Sequence, residues 1–161
     1  MKTIAIIQAR MGSSRLPGKV LEDLAGRPAL EWVVRAARAV PGIDEIAIAT
    51  STEPADDQLV EWCAGAGISC VRGSESDVLA RYAEAARALD AGAVMRLTAD
   101  TPFLDPAICG QILWLYESSG ADYASNVDPT VWADGLDCEV FSADALQVAA
   151  EEASRPFERE H

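Results

Sequence analysis

The chain predicts an α/β fold in three layers, a mostly parallel sheet with helices on both faces. Three observations carry this. Short apolar runs of strand length alternate with segments of roughly ten to fifteen residues that carry helical spacing. Turn signals separate each from the next. The first run, residues 3–8 (TIAIIQ), is apolar almost throughout, the pattern of a central strand covered on both faces.

Taken in order, Pro28 opens a helix over 28–40, where Leu30, Val33, Val34, Ala37 and Val40 share a face. Pro41-Gly42 ends it, and 43–50 reads as the second strand. The acidic residues after Pro54 suit the first turn of a helix that turns Leu59, Val60 and Cys63 inward and closes at Gly65 and Gly67. A third strand follows at 68–71. Ser74 or Ser76 is the expected cap of a helix carrying Val78, Leu79, Tyr82, Ala86 and Leu89, stopped by Asp90-Ala91-Gly92. Residues 93–98 form the next strand, and Pro106 opens a helix to about 118. Strands are expected at 121–125 and 137–141, the latter placing Asp137 and Glu139 on one face, and Ser142 caps a last helix over 143–153. In such a sheet ligands bind outside the carboxyl ends of the strands, so the loops after Gln8, Thr50 and Thr98 are expected to share one crevice.

The 161 residues, half of them apolar, fit one domain over 1–161 without a linker or repeat. No apolar stretch is long enough to span a bilayer, and the N-terminus lacks a signal-peptide h-region and cleavage site, so a cytoplasmic location is expected. Cysteines 63, 70, 109 and 138 form no CxxC pair and read as reduced, buried small hydrophobes. The one histidine is His161, which removes histidine-based acid/base and nucleophile pairs. A net charge of −13 argues against nucleic acid and anionic membranes as partners. The charge is uneven: residues 1–40 hold seven Lys/Arg against three Asp/Glu, while the remainder hold six against twenty-three. A small polyanion is therefore expected at the opening loop.

That loop, QARMGSSRLPGKVL (8–21), holds Arg10, Arg15 and Lys19 among two glycines and two serines. It is not a Walker A loop: five residues separate Gly12 from Gly18, and Val20 follows the lysine where a magnesium-binding hydroxyl belongs. GxGxxG is absent as well. The components of phosphate binding remain, namely close backbone approach at Gly12 and the serines together with three cations.

The loop resembles the opening of the nucleotide-sugar cytidylyltransferases, in particular the branch of spore coat polysaccharide biosynthesis protein F, whose relatives activate 3-deoxy-manno-octulosonate and sialic acids with CTP. The resemblance extends over the whole chain and implies the Rossmann-like fold of nucleotide-diphospho-sugar transferases. It implies that the backbone of Ala9, Arg10, Met11, Gly12 and Ser13 and the side chains of Arg10, Arg15 and Lys19 wrap the triphosphate of CTP, with Gln8, Thr50 and Thr98 at the strand ends. A second block, RLTADTPFLDP (96–106), is similar to the family's RLTGDCPLIDP with Ala99 for Gly and Thr101 for Cys. It places Asp100 at the family's Mg²⁺ position. A third block, GSESDVLARY (73–82), implies a place near base and ribose for Asp77 and Arg81, which are equally readable as an i,i+4 pair. DGLDCEVFS (134–142) is similar to a segment facing the acceptor sugar, which implicates Asp134, Gly135, Asp137 and Glu139; an edge strand bearing solvated carboxylates is the alternative.

The implied reaction is magnesium-dependent transfer of CMP from CTP to a sugar acid or sugar phosphate, with release of pyrophosphate, in surface polysaccharide or glycoconjugate synthesis. Arg15, Lys19 and Asp100 are its candidate catalytic residues. Family members commonly continue beyond the point matched by Phe157-Glu158-Arg159-Glu160-His161, so the chain reads either as a fragment or as a shortened homologue. The missing part would complete the sugar pocket, a second acidic metal ligand and part of a homodimer contact. A non-catalytic nucleotide-binding module, or the same fold with another nucleoside triphosphate, stands as the alternative.

Overall fold

The computed structural model describes residues 1–13, 15–130 and 132–160; Ser14 of the opening loop and His161 lie outside them. Six strands form one sheet in the order β3-β2-β1-β4-β6-β5. They are β1 (Thr3–Gln8), β2 (Glu45–Ser51), β3 (Ser69–Gly73), β4 (Ala93–Thr98), β5 (Tyr123–Ser125) and β6 (Glu139–Ser142). The first four are mutually parallel. β6 runs antiparallel between β4 and β5.

β1 is buried from Thr3 to Ile7 because it lies between β2 and β4 and is covered above and below. Its alternate residues divide between two cores, as a period of two requires. Ala5 and Ile7 join Ile46, Ile48, Met95 and Leu97 in the larger core. That core is closed by α1 (Ala29–Arg38), α2 (Asp57–Ala66) and α4 (Pro106–Ser119) through Leu30, Val33, Leu59, Cys63, Cys109 and Leu113. Ile4 and Ile6 face the other way, with Ala47, Ala49 and Val94, against Tyr82, Ala83 and Ala86 of α3 (Val78–Ala88) and Leu146 of α5 (Ala143–Glu152). Each fully buried Ile or Leu of these layers contributes about 1.5–3 kcal/mol. All four cysteines are free thiols; Cys70 alone is half-buried.

Several boundaries differ from those the sequence predicts. β3 extends to Gly73 because its last two residues pair with Thr50 and Ser51. Helix α3 is capped by Asp77, whose carboxylate accepts from the Ala80 amide at 2.9 Å, rather than by Ser74 or Ser76, whose hydroxyls face each other at 3.2 Å. Asp90 turns the chain out of that helix with φ +55°, a conformation Asp tolerates better than most residues. The last strand begins at Glu139, so Asp137 precedes it and the two carboxylates do not alternate along one strand. A short helix, α6 (Pro156–Glu160), follows α5. Asp105 and Ser142 cap α4 and α5, accepting from Ala107 at 2.7 Å and Ala145 at 3.1 Å.

The hairpin of β5 and β6 carries residues 126–138 as a loop. Ser125 pairs with Glu139 at its base, and just beyond, the Asn126 side chain accepts from the Cys138 amide at 2.8 Å and donates to the Leu136 carbonyl at 2.8 Å. On the opposite side of the sheet the chain lays down β1, β2 and β3 outward with helices on one face, then crosses over α3 on the other face to β4. The reversal between β1 and β4 opens a crevice at their carboxyl ends.

Candidate active site

The crevice encloses about 770 Å³. Gln8 and Ala9 end β1 there, and Thr98, Ala99 and Asp100 end β4; the Ala99 amide donates to the Gln8 carbonyl at 3.0 Å, which holds the two ends together. The opening loop folds back over the gap. The Met11 carbonyl accepts from the amides of both Ser13 and Gly18 at 2.9 Å, a closure that requires Gly18 at φ +75°. Buried Val20 anchors the 3-10 turn Lys19–Leu21 beyond it. Arg10, Ser13, Arg15 and Lys19 line the wall so formed.

Lys19 Nζ and Asp100 Oδ2 meet at 2.6 Å, although 81 positions separate them in the chain. Burial works to raise the Asp100 pKa, but the hydrogen bond and charge of Lys19, aided by Thr98, overcome it and hold the carboxyl below its ordinary value. Across the mouth, Arg10 Nη1 stands 3.5 Å from Glu75 Oε1, both half-exposed. Arg15 is exposed and has no ion-pair partner among the described residues.

Other predicted residues lie beneath or beside the crevice. Thr50 is fully buried and donates to Asp56 at 3.0 Å, so the loop after β2 supports the wall rather than lining it. The Met11 amide donates to the other oxygen of Asp56 at 2.7 Å and is thus already engaged. The absent Cβ of Gly12 would stand 3.3 Å from Glu75 Oε1, which brings the loop backbone against the β3–α3 connection. Arg81 lines the crevice yet is only 2% exposed; its Nη1 donates to the Ser74 and Glu75 carbonyls at 2.6 and 2.9 Å, while Nε finds no partner among the described residues. Gly73 makes room for it, since a Cβ there would stand 2.8 Å from Arg81 Cγ. Arg81 and Asp77 do not pair. Asp77 instead meets Arg159 of α6 at 2.7 Å, and Arg159 also donates to the carbonyls of Ala150 and Ala153.

A second cavity of about 600 Å³ adjoins the first on the α3/α5 face, and Val78, Arg96 and Glu160 form the wall common to both. Glu139 faces this second space. It accepts from Arg96 at 2.7 Å and from the Tyr123 hydroxyl at 2.6 Å. Burial pushes the Tyr123 phenol up to about 12, reinforced by its hydrogen bond to Glu139. Asp134, Gly135 and Asp137 sit in the hairpin loop and line neither cavity. Burial raises the Asp137 carboxyl, and the nearby charges of Asp134 and Glu139 add to the shift.

The side chains in or beneath the crevice that the sequence left unread are Asp56, Glu75 and Arg96. Asp56 follows Pro54 as one of an acidic doublet, which suits a helix start equally well. Among the described residues no three Asp, Glu, His or Cys side chains gather into a metal cage, and no helix is long and apolar enough to cross a membrane.

A polar crevice at the switch point of a doubly wound sheet, lined by Arg10, Arg15 and Lys19 and by Asp100, lies where α/β folds of this kind take their ligands. Residues 4–161 match the cytidylyltransferase family model, and the chain belongs to that family. It is 35% identical over its full length to an uncharacterized protein of Methanocaldococcus jannaschii, covering 65% of that protein. Against the spore coat polysaccharide biosynthesis protein SpsF of Bacillus subtilis it is 37% identical over 88% of this chain and 59% of the relative. Against the 3-deoxy-manno-octulosonate cytidylyltransferase of Acidobacterium capsulatum the figures are 34%, 66% and 43%. The chain thus spans between two fifths and two thirds of the length of these curated relatives. Among solved structures, a cytidylyltransferase of Leptospira borgpetersenii superposes with TM-score 0.92 at 32% identity, over 100% of this chain and 68% of that one. A CMP:2-keto-3-deoxy-manno-octonic acid synthetase solved with CTP shares the fold, with TM-score 0.76 at 22% identity over 99% of this chain and 82% of that one.

Proposed function

We propose that the chain supplies the catalytic domain of a CTP-dependent sugar cytidylyltransferase, which transfers CMP to a sugar acid or sugar phosphate and releases pyrophosphate. The observation that carries this is the meeting of Lys19 and Asp100 at the end of β1 and β4. It joins the cationic loop to the carboxylate in one crevice, within a chain of the cytidylyltransferase family.

In this reading the triphosphate lies along the opening loop, with Gln8 and the 9–13 backbone beside it. Arg10 and Arg15 neutralise its outer oxygens. Lys19 exchanges Asp100 for a phosphate oxygen as the nucleotide enters, and Arg81 shapes the base end through the Ser74 and Glu75 carbonyls while Asp77 fixes the start of the helix that carries it. Asp100 fits a magnesium ion: it is a hard oxygen donor, held ionised and 46% exposed in the crevice, and Mg²⁺ takes most of its ligands from substrate phosphates and water. Such an ion would draw electron density from the α-phosphorus and the departing pyrophosphate. The rest is positioning and charge neutralisation, which needs no histidine. The acceptor approaches from the side of the second cavity, where Glu139 meets it, with Asp134, Gly135 and Asp137 in the loop that leads into β6.

The test is pyrophosphate release from CTP with and without Mg²⁺, using a panel of nonulosonic acids and sugar phosphates and the longest natural polypeptide. Cation-dependent release with CTP in preference to GTP, UTP and dTTP is expected. Absence of CTP binding by calorimetry at saturating Mg²⁺ would overturn the assignment.

A further inference from the structure

We propose that Asp56 is a positioning residue for the nucleotide, fixing the opening loop through the Met11 amide; this rests on the crevice being the CTP site. Asp56 is 1% exposed and accepts four hydrogen bonds. Its Oδ2 takes the Thr50 hydroxyl at 3.0 Å, the Ser51 amide at 3.0 Å and the Ser51 hydroxyl, and its Oδ1 takes the Met11 amide at 2.7 Å.

An aspartate at the start of a helix ordinarily turns its carboxylate onto the amides of the first turn. Asp56 directly precedes α2 and makes no such bond. Its carboxylate serves the neighbouring strand end and the loop instead. Thr50 and Ser51 are held in register by Arg72 and Gly73 of β3, so the carboxylate is fixed on a rigid edge. Met11 is the point at which the loop returns on itself, since its carbonyl takes both Ser13 and Gly18. One charge-assisted bond therefore transmits the position of the sheet to the loop between Arg10 and Ser13, both of which line the crevice.

The opposite rim is held in a complementary way. Buried Arg81 donates to the Ser74 and Glu75 carbonyls, so a cation fixes two acceptors on that side while an anion fixes a donor on this one. Burial alone would push the Asp56 carboxyl up, but its four donors hold it below the ordinary value, so it remains an anion at neutral pH.

The experiment is calorimetric titration of Mg-CTP into wild type, Asp56→Asn and Ser51→Ala, with melting temperature measured on each. Ser51→Ala removes one donor to Oδ2 and leaves the bond to Met11. Asp56→Asn is expected to weaken CTP at least about tenfold, in keeping with loss of a bond to a charged group. Ser51→Ala lowers the melting temperature yet keeps CTP affinity within about threefold, because Oδ1 retains its grip on the loop. In turnover, Asp56→Asn raises KM for CTP more than it lowers kcat at saturation.

Equal affinity of Asp56→Asn and wild type would overturn the proposal. So would affinity that simply tracks melting temperature across both variants. Should Asp56→Asn fail to fold, replacing the amide between Arg10 and Met11 by an ester deletes the same donor with Asp56 in place; unchanged affinity there also overturns it. A wild type that binds no CTP removes the nucleotide reading itself and the proposal with it, an outcome distinct from a variant that binds normally.

Discussion

The two cavities that share Arg96 handle charge in opposite ways. In the crevice at the ends of β1 and β4 the pair Lys19–Asp100 is 29% and 46% exposed, and Arg10–Glu75 is 48% and 45% exposed. In the second cavity Arg96 and Glu139 are each 19% exposed, and Tyr123 closes over the carboxylate. Pairs open to water contribute little to stability and exchange partners readily, whereas a half-buried pair is costly to break. The first region keeps its ions ready for a ligand; the second uses its ions as structure.

Four changes would sharpen or break this contrast. The largest effect is expected from Asp100→Asn, which should lower Mg²⁺-dependent turnover by about 10²–10³-fold, the scale of losing one electrostatic stabiliser of a transition state. Metal-free CTP binding should survive it, since Lys19 is then released; turnover at the wild-type rate would place the metal elsewhere. Arg96→Ala comes next, leaving Glu139 without its cation. Discounted for partial exposure, the cost in urea unfolding should be about 2 kcal/mol. A cost below that of Lys19→Ala would erase the distinction between the cavities.

Lys19→Ala and Arg15→Ala should each weaken Mg-CTP about tenfold by calorimetry while changing unfolding free energy by less than about 0.5 kcal/mol. The smallest effect concerns acid. The Asp100 carboxyl is depressed in the folded state, so the stability it contributes is complete above its ordinary 3.8 and is lost as pH falls below that value through the folded pKa. Wild type should therefore exceed Asp100→Asn by no more than about 0.5 kcal/mol at neutral pH. The two unfolding curves should converge in strong acid, and a gap that widened there would reverse the sign of the Lys19 interaction.

What the sequence disclosed depended on how far apart the cooperating residues lie. The parallel β1–β4 core was legible because each strand and helix announces itself locally through spacing and turn residues. The Lys19–Asp100 meeting was legible because both belong to continuous strings and the topology brings the ends of β1 and β4 together. The antiparallel β6 was not, since four residues carry no sign of the direction in which they will pair. Asp77 read as a companion of Arg81 four residues on, yet its ion partner is Arg159, 82 positions away, and local spacing says nothing about such a contact. Asp56 was hidden by ambiguity: an acidic residue at a helix start satisfies the macrodipole in the sequence, and only its burial reveals that its carboxylate faces elsewhere.

The hairpin that carries residues 126–138 has a consequence for how such proteins diverge. Its stem is pinned by strand pairing and by Asn126, so its length can change at a cost that grows only with the logarithm of the added residues. None of its described residues lines the crevice that holds Lys19 and Asp100. Insertions or deletions in this segment would therefore reshape that edge of the sheet while leaving the crevice at the ends of β1 and β4 in place.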